Sequence, residues 1–336
     1  MTKTRTPRIL SGIQPSGALH LGNYFGAMAQ HIALQEQGEG FYFIADYHAL
    51  TTLQDRSVFR QLVRDVALDY LALGLDPEKA LLYRQSDVPE VTELTWLLST
   101  VTGMGLLERA HSYKDKVAKG ITPRAGLFFY PVLMGADILA YHSDLVPVGK
   151  DQVQHVEMTQ DMASSFHAAY DCEVFRRPEA RLAGAGALVP GVDGQKMSKS
   201  YGNIIEIFAS GKALKKRVMS IVTDSQGVDD VKDPETCTIF QLYQLVADAD
   251  AVTEMSQRLQ AGGYGYGDAK KALLAAINEA FGPARERREV LAADSDLLED
   301  VLVTGAAKAR AVAQDVLGAA REAVGMSTAP GLRPAR

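Results

Sequence analysis

A glycine-rich segment near the start of the chain has the residue types of a phosphate-binding turn. The letters GIQPSG occupy residues 12–17, and HLGN follows at residues 20–23. Small residues let the backbone approach a nucleotide, and a helix that starts here offers free N–H groups and the positive end of its dipole. His20 and Asn23 can donate hydrogen bonds to phosphate oxygens. The alternative from this pattern alone is a glycine-rich turn with a surface histidine.

A second segment, KMSKS at residues 196–200, places two lysines three residues apart in a glycine-flanked stretch. Such a loop can close on a polyphosphate. The ammonium groups of Lys196 and Lys199 can then neutralise the charge that develops on a leaving pyrophosphate. The alternative is a solvated basic loop, but here both segments occur in one chain, HLGN before KMSKS.

Between these segments, YPVLMGADIL at residues 130–139 predicts a helix that starts at Pro131. At helical spacing one face carries four side chains: Tyr130, Met134, Asp137 and Ile138. This face is apolar apart from one carboxylate, which suits a flat apolar ligand with a single hydrogen-bond donor. The alternative is a partly exposed aspartate beside core residues.

The first two-thirds of the chain alternates short apolar runs with amphipathic stretches. Strands are predicted at residues 8–12, 41–45 and 81–84, and helices at residues 23–37 and from residue 57 until Gly74 and Pro77. This alternation is typical of an α/β fold with a parallel sheet, in which ligands bind at the carboxyl ends of the strands. The motifs that directly follow strands are therefore favoured as sites.

Helical spacing dominates after Asn203, and lysines and arginines occur at intervals along it. We therefore predict a catalytic domain over residues 1–205 and an all-helical domain over residues 206–326, whose last helix folds back on the first domain. Residues 327–336, which are rich in Pro, Gly and Ala, are expected to form a flexible tail.

Composition limits the class of protein. The chain has 336 residues and a formal net charge of −6, so it lacks the basic field of a general nucleic-acid coater. Its two cysteines, Cys172 and Cys237, form no CxxC pair, and its histidines lack ligand spacing, so we expect no disulfide framework, structural zinc or other metal site. No run reaches the roughly 18 apolar residues that a membrane span needs. We expect a cytoplasmic protein that binds neither membrane nor DNA.

The pair HLGN and KMSKS resembles the two signature motifs of class I aminoacyl-tRNA synthetases, which implies a Rossmann catalytic domain. Three longer segments are similar to bacterial tryptophanyl-tRNA synthetases: SGIQPSGALHLGNYFGA at residues 11–27, YPVLMGADIL at residues 130–139 and VPVGKDQ at residues 146–152. The resemblance continues through VTDS at residues 222–225 and GYG at residues 263–265. The sequence departs from this family at Leu10, where phenylalanine is usual, at Tyr201, where aspartate is common, and in a shorter approach to KMSKS.

The resemblance implies a tryptophan site and an ATP site. In the tryptophan site Asp137 accepts the indole N–H, and the other members are Tyr130 and Gln152 at the amino group, Met134 on the ring, His48 and Ile138. The ATP site comprises Gln14, Pro15, Ser16, Gly22, Asn23, Gly149, Lys150, Asp151, Val189, Lys196, Met197, Ser198, Lys199 and Ser200. Five residues are expected to stabilise the phosphates: His20, Asn23, Lys116, Lys196 and Lys199.

The resemblance also implies a reaction and partners. L-Tryptophan would react with ATP, accompanied by Mg²⁺, to give tryptophanyl-adenylate and pyrophosphate, after which tRNA(Trp) accepts the tryptophan, and the protein would be a homodimer. Three alternatives stay open at this point: a tyrosyl enzyme, a nucleotidyltransferase of the same superfamily, and a synthetase paralogue that acts as a regulatory or binding subunit without charging tRNA. The methionine and aspartate of the middle segment favour tryptophan, and the locally basic helical C-terminal third argues against the nucleotidyltransferase.

Overall fold

The computed structural model describes residues 5–110, 124–182 and 189–326. Five strands form one sheet in the order β3-β2-β1-β4-β5, and every pairing is parallel. Their bounds are β1 Arg8–Ile13, β2 Glu39–Ile44, β3 Ala80–Arg84, β4 Leu145–Val148 and β5 Glu179–Leu182. The strand order reverses between β1 and β4, and ligands of open α/β sheets bind at such switch points.

Helices cover the sheet and form all the regular structure described from residue 211 onwards. In chain order they are α1 Leu21–Asn23, α2 Ala29–Leu34, α3 Asp46–Ala49, α4 Arg56–Ala72, α5 Glu90–Ser99, α6 Met104–Glu108, α7 Ala125–Leu139, α8 Val153–Tyr170, α9 Gly211–Met219, α10 Thr238–Tyr243, α11 Ala249–Ala261, α12 Tyr266–Ala293 and α13 Ser295–Ala323. A π-helical turn, Tyr24–Met28, joins α1 to α2, and short 3-10 turns lie at Gln85–Asp87, Lys150–Gln152 and Lys199–Tyr201. The fold is a Rossmann-type α/β domain followed by a helical C-terminal domain, as predicted.

Both faces of the sheet are buried, which is the rule for parallel sheets. Along β2, Phe41 and Phe43 pack in one cluster with α5, α7 and α8, whereas Tyr42 and Ile44 pack in another with α4 and the helical C-terminal domain. This division follows from the alternation of side chains along a strand.

The last helix, α13, lies along the edge strand β3. Its Gly305 lies so close to β3 that an added Cβ would be 2.2 Å from the carbonyl oxygen of Leu82. Three ion pairs between described residues attach the same helix to the sheet domain: Arg84 with Glu299, Arg310 with the buried Glu90, and Arg321 with Glu93. The helix thereby shields an edge that would otherwise present unpaired backbone groups.

Two local predictions were wrong. Pro131 does not start a helix but lies inside α7, because burial of an apolar fifteen-residue segment outweighs the one backbone hydrogen bond that proline removes. Residues 23–37 do not form one regular α-helix, since the π-helical turn interrupts them.

The predicted division at residues 205 and 206 stays a prediction. The two sides of that point are joined locally, because the Leu21 N–H donates to the Ile205 carbonyl and the Ile207 N–H donates to the Leu19 carbonyl. The predicted tail at residues 327–336 lies outside the described residues. Within the described ranges, no helix has both the length and the hydrophobicity to cross a membrane.

Candidate active site

A cavity of about 290 Å³ opens at the carboxyl ends of β1, β2 and β4, where the strand order reverses. β1 contributes Leu10, Ser11 and Gly12 to its wall, and the other lining residues are Gln14, Ala27, His31, Phe43, Ala45, His48, Met134, Asp137, Ile138, Val146, Pro147, Val148, Gly149 and Gln152. A Cβ at position 12 would lie 2.4 Å from the ring of Phe43, so any residue other than glycine would displace that ring. A larger apolar groove of about 570 Å³ lies between α4, α12 and α13. We assign the site to the smaller cavity because residues of three conspicuous sequence segments, 11–27, 130–139 and 146–152, line it together.

Asp137 is the buried carboxylate of this cavity, with 2% of its surface exposed. His48 Nε2 lies 2.9 Å from one of its oxygens, and the Gln85 side-chain amide lies 2.8 Å from both. Burial raises the pKa of Asp137, and the hydrogen bonds from His48 and Gln85 oppose that rise. The carboxylate is thus fixed in place by two donors.

The sequence prediction missed Gln85. Its side-chain oxygen accepts a hydrogen bond from the Tyr47 N–H at 3.1 Å, which orients the amide towards Asp137. The available signal was its position, because Gln85 directly follows β3 at the carboxyl edge of the sheet.

Tyr130 lies one helical turn before Met134 on α7. Its hydroxyl is 2.9 Å from His155 Nε2, and its ring meets the His48 ring edge-on with 6.2 Å between centroids. Tyr130 therefore supports the wall beside His48, and Gln152 lines the cavity itself.

HLGN lies where α1 begins, as the sequence predicts. His20 Nδ1 accepts the Asn23 N–H at 3.3 Å and caps the helix. Burial, assisted by the charge of Lys199, lowers the pKa of His20 to about 4. The ring is therefore neutral at physiological pH, and since Nδ1 is the acceptor, the proton is on Nε2.

The KMSKS loop packs directly on the HLGN segment. Lys199 Nζ donates to the Ser16 carbonyl at 3.0 Å and lies 3.4 Å from Ser16 Oγ. The Gly22 N–H lies 3.3 Å from the sulfur of Met197. Burial lowers the pKa of Lys199, while Asp69 and Glu206 act in the opposite direction. The structure thus brings together two motifs that are far apart in the sequence.

Asn203 holds the KMSKS loop in shape, and the sequence prediction missed this role. Its side chain donates to Asp193 Oδ1 at 2.8 Å and to the Lys196 carbonyl at 3.1 Å, and it accepts from the Ser198 N–H at 2.7 Å. A Cβ on Gly191 would lie 2.3 Å from this amide. The signal available in the sequence was its position, an asparagine three residues after the loop.

The other predicted ATP-site residues lie around these two motifs. Gln14 donates to the His48 carbonyl at 3.3 Å, Pro15 is buried, and the Val189 carbonyl accepts the Met197 N–H at 2.9 Å. The hydroxyls of Ser198 and Ser200 are 2.8 Å apart, and Lys196 is exposed. Gly149 lines the cavity, and the exposed Lys150 begins a 3-10 turn. Lys116 and the side chain of Asp151 lie outside the described part of the structure.

Comparisons with known proteins agree with this arrangement. Residues 2–282 match the family model described as tRNA synthetases class I (W and Y). The tryptophan–tRNA ligase of Rhodopirellula baltica is 57% identical over 319 residues, which cover 95% of this chain and 99% of that protein. The corresponding ligase of Fusobacterium nucleatum is 54% identical over 95% of this chain and 98% of its own length.

Solved structures give the same result. The tryptophanyl-tRNA synthetase of Campylobacter jejuni, complexed with ADP and tryptophan, matches with a TM-score of 0.91 at 49% identity over 95% of this chain and 100% of its own. A tyrosyl-tRNA synthetase of Archaeoglobus fulgidus, at 21% identity and a TM-score of 0.64, shares the fold alone. Because the family model matches most of the chain and relatives above 50% identity span nearly all of it, the chain belongs to the class I tRNA synthetases of the W and Y group.

Proposed function

We propose that this chain is a tryptophan–tRNA ligase, which activates L-tryptophan with ATP and then transfers tryptophan to its cognate tRNA. Relatives that match nearly the whole chain carry this name. The observation that carries the proposal is Asp137, a buried carboxylate in an apolar cavity at the switch point of the sheet. An indole ring requires a flat apolar slot and one acceptor for its N–H.

In the tryptophan site, Asp137 accepts the indole N–H. His48 and Gln85 already donate to this carboxylate. Its two oxygens offer about four acceptor positions, so a third donor can be accommodated. Met134 and Ile138 pack against the ring from the same helix, and Tyr130 and Gln152 bind the amino group.

In the ATP site, the HLGN and KMSKS motifs hold the phosphates between them. The neutral His20 offers its Nε2–H, and Asn23 offers its amide to phosphate oxygens. Lys199, which already lies against Ser16, faces the same place. Lys196 is exposed and free to close on the pyrophosphate. Lys116 is proposed to assist from outside the described residues.

The chemistry is an in-line displacement at the α-phosphate. A carboxylate oxygen of tryptophan forms a bond to phosphorus, the bond to the bridging oxygen breaks, and pyrophosphate leaves with the electron pair. A ribose hydroxyl of the terminal adenosine then attacks the acyl carbon, and AMP leaves. Positioning and charge stabilisation supply the catalysis, with no covalent enzyme intermediate.

Mg²⁺ is proposed to accompany the ATP phosphates, where it would neutralise charge on the departing pyrophosphate. This ion commonly keeps several waters and binds substrate phosphates with few protein ligands. In the ranges that the structure describes, no group of three or more His, Cys, Asp or Glu side chains is placed to hold a metal. The proposal therefore assigns Mg²⁺ to the substrate rather than to a protein cage.

We propose that the helical domain binds tRNA(Trp). We also propose that the protein is cytoplasmic and forms a homodimer. Lys212, Lys215 and Lys216 are exposed along α9 and offer charge to phosphates. In the sheet domain, Trp96 on α5 and Met104 on α6 are 66% and 61% exposed, which supports a contact with a second subunit.

The activation step is tested by exchange of labelled pyrophosphate into ATP in the presence of tryptophan, with tyrosine and phenylalanine as parallel controls. Exchange should depend on tryptophan and be at background level with the other two. Exchange with tyrosine instead would overturn the substrate assignment, and no exchange from a folded protein that binds ATP would favour a regulatory paralogue.

A further inference from the structure

Three hydrogen-bonded side chains form a buried row that ends in the wall of the tryptophan cavity. Ser11 Oγ lies 3.0 Å from His31 Nε2, and the Tyr70 hydroxyl lies 2.9 Å from His31 Nδ1. Ser11 and His31 line the cavity, whereas Tyr70 on α4 is fully buried. Among the described residues, His31 is the only hydrogen-bond partner of either hydroxyl.

His31 is neutral, because burial lowers its pKa to about 4. A neutral imidazole has one donor and one acceptor nitrogen, so the row can run in only two directions. Either Tyr70 donates to His31 and His31 donates to Ser11, or both hydrogen bonds are reversed.

The surroundings of the two ends decide the direction. In the reversed arrangement the unused hydrogen belongs to Tyr70, inside the core and without an acceptor, which is penalised. In the forward arrangement the unused hydrogen belongs to Ser11, at the cavity wall, where a ligand can accept it. The row therefore presents the Ser11 hydroxyl to the cavity as a donor.

We propose that the Ser11 hydroxyl donates a hydrogen bond to the carboxylate of the bound amino acid, and that His31 and Tyr70 are positioning residues that keep this hydrogen directed into the cavity. The assignment rests on the proposed function. Asp137 on α7 repels the substrate carboxylate and takes the indole end. The carboxylate must face the α-phosphate, and β1 leads from Ser11 directly into the phosphate-binding segment.

The test compares the Kd of tryptophan with that of tryptamine, which lacks the carboxylate, by calorimetry. Loss of a hydrogen bond to a charged group weakens binding about ten-fold or more. Ser11→Ala should show this loss for tryptophan and no loss for tryptamine. Tyr70→Phe should show a smaller loss of tryptophan affinity and again no loss for tryptamine. In this variant His31 lacks the donor that fixes which of its nitrogens carries the proton. Ser11→Thr, which keeps the hydroxyl, should lose less tryptophan affinity than Ser11→Ala. Ser164→Ala, at an exposed position on α8, should bind both ligands like the wild type.

The outcomes separate this assignment from the proposed function. The role of Ser11 would be overturned if Ser11→Ala lost affinity equally for tryptophan and tryptamine, or kept its full affinity for tryptophan. It would also be overturned if this variant lost affinity for ATP alone. A wild-type protein that fails to bind tryptophan would overturn the proposed function itself. Thermal unfolding of each variant identifies a folding defect, and tryptamine binding shows that the pocket is intact.

Discussion

At the scale of single residues, Asp137 is the group that we propose gives the site its selectivity for an indole ring. It is held by His48 and Gln85 from two other segments of the chain. A site built to accept a hydrogen bond discriminates strongly against analogues that lack the donor. Selectivity therefore depends on the two supporting side chains as well as on the carboxylate.

Replacing Asp137 with asparagine should raise the KM for tryptophan about ten-fold or more, because a hydrogen bond to a charged group contributes about 1.5–3 kcal/mol. The change should be much smaller for 1-methyltryptophan, which has no indole N–H. Pyrophosphate exchange with both substrates measures the difference. Asp250→Asn, at an exposed site on α11, serves as the control. Equal changes for the two substrates would contradict the role of Asp137.

Lys199→Ala should slow adenylate formation about 10²–10³-fold in a single turnover, the usual cost of removing a donor from developing charge. The Kd for tryptophan should stay unchanged, because Lys199 contacts Ser16 rather than the tryptophan cavity. Rapid-quench measurement of adenylate tests this. Lys215→Ala, at an exposed position on α9, is the matched control. Unchanged single-turnover activation would refute the role of Lys199.

His31→Phe should alter how stability depends on pH. The folded protein keeps His31 neutral down to a pKa of about 4, whereas the unfolded chain binds a proton near pH 6.5. The wild type therefore loses His31-dependent stability as pH falls from 6.5 towards 4, and the variant lacks this loss. The difference in unfolding free energy between them should shrink over this range in denaturant titrations. Parallel pH curves would show that His31 titrates normally in the folded state.

The residues that sequence reasoning found and those it missed differ in one physical respect. His20 and Lys199 belong to contiguous motifs whose chemistry is readable from residue type and spacing. Gln85 and Asn203 act through hydrogen bonds to groups that are distant in sequence or that belong to the backbone. Such partners are known only once the chain is folded. The roles of the site residues stay predictions.

At the scale of elements, the contact of α13 with β3 depends on one glycine. Gly305→Ala would push a Cβ into the Leu82 carbonyl, a backbone atom that cannot rotate away. We expect a loss of about 1–3 kcal/mol in the free energy of unfolding, measured with denaturant. Gly267→Ala on α12 is the control, because a Cβ there meets nothing within 4 Å and should leave stability unchanged or slightly higher. Equal stability of both variants would mean that α13 does not pack tightly on β3.

Periodicity located β1, β2 and β3 to within two residues, because each of these strands contains a short apolar run. It did not identify β4, which is four residues long and contains Pro147, or β5, which is only partly buried. It also failed at the π-helical turn after HLGN. There the Tyr24 ring packs edge-on against Phe281 of α12, a tertiary contact with no local sequence signal.

At the scale of the whole molecule, α12 connects the helical domain to the segments that follow the HLGN and KMSKS motifs. Phe281 contacts the helix that follows HLGN, and Arg285 donates to the Ile207 carbonyl in the segment after KMSKS at 2.7 Å. Arg288 pairs with Asp65 and Asp69 of α4, each at 2.7 Å. These contacts of α12 therefore fix the helical domain relative to the segments that follow HLGN and KMSKS.

The proposed homodimer can be tested at Trp96, an exposed aromatic residue of α5. Trp96→Glu should shift the molar mass measured by light scattering from dimer towards monomer, because a buried interface does not tolerate an unpaired charge. Val290→Glu, at a residue that is 71% exposed on α12, should leave the mass unchanged. Trp96 is the only tryptophan of the chain, so in the wild type a change of its emission on dilution would also report dissociation of the dimer. A monomeric wild type would contradict the proposal.

The most direct test of the central claim is the ATP-dependent attachment of labelled tryptophan to a tRNA(Trp) transcript, with a tRNA(Tyr) transcript and a reaction without ATP as controls. Label should appear on tRNA(Trp) alone and only with ATP. Pyrophosphate exchange without any charging of tRNA(Trp) would contradict the assignment as a tryptophan–tRNA ligase and would favour a paralogue that activates tryptophan for another purpose.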